Sequence, residues 1–448
     1  MKKVSLFLII VIALMGASSF AKIYTLDECI DMAKRTDPTL ERFRNAVKTS
    51  NWEVRNAAGQ FLPSVGVSFS SREITSGPES PRLRTVTYFD PDLNELVTST
   101  ENLADTIGYK IKGYSAGFNI NYTVFDGLNN LWNYLQSKAN KSATEYDYAL
   151  SMSDLELAIK GNYYLVLKSK KDLEVAKETV NRSEELLKLF EAKYELGSAS
   201  LSEVLKQRVQ LGQDKLTQIR ARRNHEIAFD VLAVSIGIDP VTEFDVSNIE
   251  IGKVQLDDVN AMITSARKEH PQLLSSKNYL DVSKYGVRSA KGQYLPRATL
   301  SYSYGWGKDH FSDMIKFGPF DHSGTLSFTV SYNIFDRFSR ELNLSRAKAN
   351  YNNSRASYEF AKNEIVRRID DAHLEVQIAE ETLIVTEETE RSAAEDMDLV
   401  QTKYNLGAAA LWELLDAQVS LKSAQFTNVK AEFDYNLAIA KLQNAMGK

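Results

Sequence analysis

Glu413 and Asp416 stand three residues apart in a stretch built from helix formers, so both carboxylates share one helix face. Glu203 and Lys206 repeat that spacing with opposite signs. Acids spaced this way are common on solvated helices; crowded together, they would focus a cation-attracting field. That is electrostatic chemistry, not catalysis. The five histidines, His225, His270, His310, His322 and His373, are scattered, with no nucleophile–base spacing and no glycine-rich phosphate loop. No enzyme and no cofactor site is expected. His310 and His322, with Asp309, Asp313 and Asp321, gather around one loop, where polar side chains are the rule, and no metal site is expected there. Cys29 is the only cysteine, so no intrachain disulfide can form.

The elements that must position these residues are written twice. Gly59-Gln60-Phe61-Leu62-Pro63 returns as Gly292-Gln293-Tyr294-Leu295-Pro296, and Lys193-Tyr194-Glu195-Leu196-Gly197 returns as Lys403-Tyr404-Asn405-Leu406-Gly407. From Asn121 to Gly237 the copy follows at a constant shift of about 210 residues; upstream the shift is about 233. The length difference is confined to 72–113 against 306–323, which is expected to be a loop. Thr85–Tyr88 and Leu96–Thr98, around Asp90-Pro91-Asp92, suggest an extra hairpin within it.

Lys2 and Lys3, an apolar run from Val4 to Met15 and the site Ser19-Phe20-Ala21 form a secretory signal peptide over 1–21. Leu26-Asp27-Glu28 before Cys29 is not a lipoprotein signal, so no N-terminal lipid anchor is expected. Loss of Lys2 and Lys3 leaves 52 basic against 59 acidic residues, a formal −7. With no basic stripe, nucleic acid is not expected as a partner. After the signal no apolar run reaches transmembrane-helix length, so any membrane-spanning part must be β-strand.

Strict alternation marks two strands per half, at 61–71 and 114–125 and again at 297–306 and 324–335. Val65, Val67 and Phe69 alternate with serines and glycine; Leu326, Phe328, Val330, Tyr332 and Ile334 alternate with Ser, Thr and Asn. An aromatic apolar face opposite a nearly uncharged polar face fits a barrel wall between lipid and water, although soluble sandwich strands alternate similarly.

All nine prolines avoid the spans 127–237 and 337–448. Val166, Leu173, Val180, Leu187 and Tyr194 recur every seven residues there, with Ala176 and Phe190 between them. The copy offers Val376, Leu383, Met397 and Tyr404, interrupted by Glu390. Long paired helices are expected over 128–236 and 337–446, with shorter ones over 24–60 and 256–293. The first repeat thus covers 22–237 and the second 256–448, joined by an equatorial linker at 238–255. Such arms are far too long and charged for a bilayer and must project into water. Four strands cannot close a barrel, and open edges do not persist in lipid, so several copies must share one. The sequence does not separate two copies from three.

These residues resemble the outer-membrane efflux protein family, the TolC-like channel-tunnels, over about 24–447. The resemblance rests on the duplicated Gln-aromatic-Leu-Pro, the aromatic-Asp after each hairpin (Phe125-Asp126, Phe335-Asp336), and the repeated Tyr-x-x-Gly turn. It implies an α+β membrane protein: an internally duplicated homotrimer with a twelve-strand outer-membrane β-barrel continuous with a long periplasmic α-helical coiled-coil barrel. It implies a passive exit duct of a tripartite efflux or type I secretion system. Partners would be a periplasmic membrane-fusion adaptor, an inner-membrane pump (RND, ABC or MFS type) and outer-membrane lipid. The tips Leu196, Gly197, Ser198, Ala199 and Leu406, Gly407, Ala408, Ala409 resemble adaptor-docking turns. Glu413 and Asp416, with Glu203 beside Lys206, match the periplasmic entrance gate, and Tyr404 with Glu203 a closed-state contact. A basic residue frequent near the second tip is replaced by Ala409. The alternative is a secreted or periplasmic coiled-coil scaffold without channel activity.

Overall fold

The computed structural model describes residues 22–77, 82–103, 109–242, 244–249, 256, 258–314 and 322–448. The expected signal peptide and part of the expected linker lie outside them. The chain begins with β1 (Lys22–Tyr24), α1 (Leu26–Thr36), α2 (Pro38–Gly59) and β2 (Ser64–Ser76). It continues with β3 (Arg82–Asp90), β4 (Glu95–Leu103), β5 (Tyr109–Phe125), α3 (Asn129–Glu195) and α4 (Leu201–Ile236). The later elements are β6 (Phe244–Val246), α5 (Val259–Glu269), α6 (Pro271–Gly292), β7 (Arg297–Lys308) and β8 (His322–Ser331). Last come α7 (Ser339–Asn405) and α8 (Leu411–Ala445). Two compact units result: residues up to 52 with 138–282 and 352–448, and residues 53–137 with 283–351.

The first unit is helical. α3 and α7 hold 67 residues each, about 100 Å at 1.5 Å per residue. No helix among the described residues is long and apolar enough to cross a membrane. Val166, Ala176, Val180 and Phe190 form a buried stripe on α3, and Val376, Ala379 and Met397 one on α7. Glu390, which interrupts the second seam, accepts a hydrogen bond from Asn428 Nδ2 at 2.6 Å. Tyr194, the last member of the first seam, is exposed at the helix end instead of buried.

Both shorter helices that follow a proline start alike. Before Pro38, Asp37 Oδ1 accepts from Leu40 N at 2.6 Å; before Pro271, His270 Nδ1 accepts from Gln272 N at 3.1 Å. Proline suits the first helical position because its missing N–H has no intrahelical partner to lose. β1 pairs in parallel with β6, where sequence reading expected the start of a helix and a plain linker. Three-residue strands are too short to leave a periodic signal. A side chain from α3 fastens the pair: Tyr163, fully buried, donates from its hydroxyl toward Ser247 O at 2.7 Å and Tyr24 O at 3.1 Å.

The second unit contains, with the ends of four helices, a four-stranded antiparallel sheet in the order β2-β5-β7-β8. Its register puts like with like. Val67 faces Phe118, which faces Tyr304; Ile120 faces Tyr302, which faces Leu326. On the opposite face Gly66 meets Asn119, Asn119 meets Ser303 and Ser303 meets Thr325. A one-residue slip would mix the faces, so the alternation itself selects the register. Phe118 and Tyr304 stack with centroids 5.4 Å apart.

Strand ends differ from the sequence-based limits. β2 begins only after Pro63, yet it and β5 pair on through Ser76 and Tyr109, so the flanks of the supposed 72–113 loop are strand. Past the apolar pattern, Lys110 and Lys112 hold Glu73 at 2.6 and 3.6 Å across the strands. Charged cross-strand pairs stabilise a ladder as apolar ones do, but they carry no amphipathic signature. Within the same segment β3 and β4 form a separate hairpin. β8 stops at Ser331, short of the expected 335.

Candidate functional site

Two helix-to-helix turns carry most of the candidate residues. α3 ends at Glu195 and the chain reverses through Gly197, φ +73°. Ser198 N donates to Lys193 O at 2.8 Å and Gly197 N to Tyr194 O at 2.9 Å, the left-handed glycine stop that satisfies the last carbonyls. After α7, Gly407 at φ +74° does the same, with Ala408 N on Lys403 O at 2.8 Å. Leu196 and Leu406 are 84% and 78% exposed, so each turn presents an apolar side chain to its surroundings.

The acids lie at the starts of the next helices. Glu203 reaches back to accept from Ser200 N at 2.6 Å, while Ser200 Oγ accepts from Glu203 N at 3.3 Å. This capping box satisfies two helix donors at once. Glu413 repeats half of it, accepting from Ala410 N at 3.0 Å; Ala410 has no hydroxyl to return the bond. Both glutamates therefore also serve their own helices, and the positive end of each helix dipole favours their charge. Asp416 lies one turn further and is exposed. Lys206 is exposed too, and with Leu201, Leu205, Val209 and Leu415 it lines a shallow groove of about 550 Å³.

Tyr404 packs at 5.3 Å from the Phe190 ring, with Lys193 Nζ 4.5 Å from its own centroid. Burial, and then the Glu203 charge, push its hydroxyl pKa up. Tyr404 and Glu203 thus share one electrostatic neighbourhood, but the Glu203 carboxylate is bound to Ser200. Among the described residues no three His, Cys, Asp or Glu side chains gather closely enough for a metal; Asp321 lies outside them.

The model of the outer membrane efflux protein family matches residues 29–237 and 262–448. The chain belongs to that family. It is 25% identical over 374 residues to the pyoverdine export outer membrane protein OpmQ of Pseudomonas aeruginosa, covering 80% of this chain and 76% of that protein. The outer membrane protein TolC of Escherichia coli is 20% identical over 453 residues, covering 98% of this chain and 85% of TolC. The crystal structure of the outer membrane protein VceC of Vibrio cholerae superposes with a TM-score of 0.77 at 16% identity, covering 94% of this chain and 96% of that one.

Behind the tips, this outer membrane efflux protein holds a polar cluster that sequence reading missed. The Asp214 carboxylate, with no exposed surface, accepts from Ser183 Oγ at 2.6 Å and Lys422 Nζ at 3.0 Å. Gln418 Nε2 donates to Ser183 Oγ at 2.5 Å, and Gln207 Nε2 to Ser183 O at 3.2 Å. One buried carboxylate thus ties α3, α4 and α8 together just behind the acid-bearing first turn of α8. The signal was present in the repeat: at the shift of about 210, Ser183, Gln207 and Asp214 correspond to Ala393, Ala417 and Ala424. Removing one partner of a fully buried pair costs roughly 3–5 kcal/mol, and less here because Lys422 keeps 21% of its side-chain surface.

Proposed function

We propose that three copies pool their sheets into a twelve-strand barrel in the outer membrane, continuous with a coiled-coil helical barrel in the periplasm. The two sequence repeats make the ring approximately sixfold. The channel is the passive exit duct of a tripartite efflux or type I secretion system. A periplasmic membrane-fusion adaptor opens it, and an inner-membrane pump of RND, ABC or MFS type supplies the energy. The carrying observation is the open four-stranded sheet with one apolar and one polar face, whose outer strands β2 and β8 each have one edge unpaired among the described residues. Unpaired backbone groups cost several kcal/mol each in lipid, so those edges require partners. The tips at Leu196, Gly197, Ser198, Ala199 and Leu406, Gly407, Ala408, Ala409 dock the adaptor. Glu413, Asp416 and Glu203 ring the entrance and favour cations, and Tyr404 with Glu203 contributes to the closed state.

Cell fractionation with planar-bilayer recording tests this reading. The protein is expected in the outer membrane as a heat-modifiable trimer with cation-selective conductance. Replacing both Glu413 and Asp416 by alanine should weaken that selectivity and relieve block by trivalent cations. Recovery of the mature chain as a soluble monomer without conductance would refute the channel and favour a scaffold.

A further inference from the structure

Charge on the apolar face of the four-stranded sheet is confined to one end. Residues opposite each other in a ladder share a face, as do residues two apart along a strand. From Tyr122 to Tyr114 on β5, from Leu300 to Trp306 on β7 and from Val65 to Phe69 on β2, that face holds no Asp, Glu, Lys or Arg. Beyond it Lys308 stands opposite Tyr114, Lys112 opposite Glu73 and Lys110 opposite Thr75. Lys110 and Lys112 keep 57% and 56% of their side-chain surface although Glu73 touches both. Phe311, in the turn after β7, folds back over this boundary, its ring 6.0 Å from that of Phe69 and 5.7 Å from that of Tyr114. The other end, where β5 leads into α3, has no such cations on this face: Arg297 stands opposite Ser331 on the polar face.

We propose that Lys110, Lys112 and Lys308 form a site for the phosphate of an anionic lipid, whose acyl chain lies along Phe69, Tyr114 and Trp306. The proposal rests on the barrel proposed above and adds a ligand to its lipid-facing wall. Since β5 joins the helical arm at its Phe125 end, the lysine end is the outer one. From Tyr122 to Tyr114 the strand climbs about 27 Å, or roughly 20 Å of membrane depth at a tilt of 35–45°. Two further residues add about 5 Å of depth, and each headgroup layer is about 5–7 Å thick. Lys308 and Lys112 thus emerge at headgroup level, and the flexible stem of Lys110 reaches back toward it. Because the lysines crown an uncharged apolar band, the ligand they suit carries both a phosphate and a hydrocarbon tail. Glu73 holds the Lys110 and Lys112 heads side by side and competes for them, one carboxylate against two ammonium groups.

Trp306 lies in that row, which makes the site readable by fluorescence. The protein, with Trp52, Trp132 and Trp412 replaced by phenylalanine, is reconstituted into phosphatidylcholine bilayers. Brominated phosphatidylglycerol should quench Trp306 in preference to brominated phosphatidylcholine. A basic residue at an anionic surface is worth roughly fivefold, so with Glu73 opposing, the preference should be about tenfold and fall to about twofold on Lys110→Gln, Lys112→Gln and Lys308→Gln together. Arg72, opposite Gly113 on the polar face, is a cation at similar height. Arg72→Gln should leave the preference unchanged; an equal fall would overturn the assignment to the apolar face. Glu73→Gln should raise the preference, and a fall would show that the lysines serve the strand ladder only. Millimolar inorganic phosphate should not relieve the quenching; relief would point to a free-phosphate site and overturn the lipid. A heat-modifiable trimer quenched equally by both lipids would overturn the site alone, whereas absence of any trimer would overturn the shared barrel as well.

Discussion

His270 couples this protein's stability to pH. Its Nδ1 accepts the Gln272 amide at the start of α6, which requires a ring nitrogen without a proton. Burial, and then the nearby Arg368 charge, lower its pKa to about 4, with Asp154 opposing them. The unfolded chain binds the proton near the ordinary histidine value of about 6.5. The folded state is therefore fully favoured above that value and loses up to about 1.4 kcal/mol per pH unit as pH falls toward 4. The thermal midpoint of the detergent-solubilised protein should drop between pH 6.5 and 4.5. His270→Asn, which keeps an acceptor at the helix start, should flatten that slope; an unchanged slope would assign it to other groups. At this scale the sequence was partly legible. Charge and spacing, with the family resemblance, singled out Glu203, Glu413 and Asp416 as candidates, but not the capping bonds of the two glutamates. Asp214 carried no signal of its own, because its enclosure depends on Lys422, some 200 residues away.

The helices and strands were legible to different depths. Absence of proline and the seven-residue seams pointed to the long helices, because both signals are local and sum over many turns. The strand limits were not, since ladders extend through charged pairs such as Lys110–Glu73 that carry no amphipathic pattern, and β8 ends at Ser331 although the alternation runs on. The strand-to-helix junction offers a test of element packing. Gly127→Ala strains a positive φ and forces a Cβ onto the Gly292 carbonyl, which together should cost about 2–4 kcal/mol. Gly197→Ala strains φ similarly but meets open space, so it should cost only about 1–2 kcal/mol. Chemical denaturation midpoints would rank the two; equal losses would show that the Gly127–Gly292 contact is not tight.

For the molecule as a whole, the β3–β4 hairpin has no counterpart among the described residues of the second half. Among the described residues β3 and β4 pair with each other and share no ladder with the four-stranded sheet. The corresponding connection in the second half is far shorter, and β7 and β8 still pair. Replacing residues 78–108 by a short turn should therefore leave the yield of the proposed trimer and its single-channel conductance unchanged. Loss of the heat-modifiable trimer would show instead that the hairpin takes part in assembly. What the sequence by itself determined is the amphipathic strands and the long proline-free arms, because each is written in residues close together along the chain, and the recurrence of motifs, because two segments can be compared without knowing how they fold. The tertiary structure alone decided strand order, which strands pair, the β1–β6 pair and the enclosure of Asp214. Those features depend on which distant segment lies alongside, and residues brought together by folding leave no periodicity of their own.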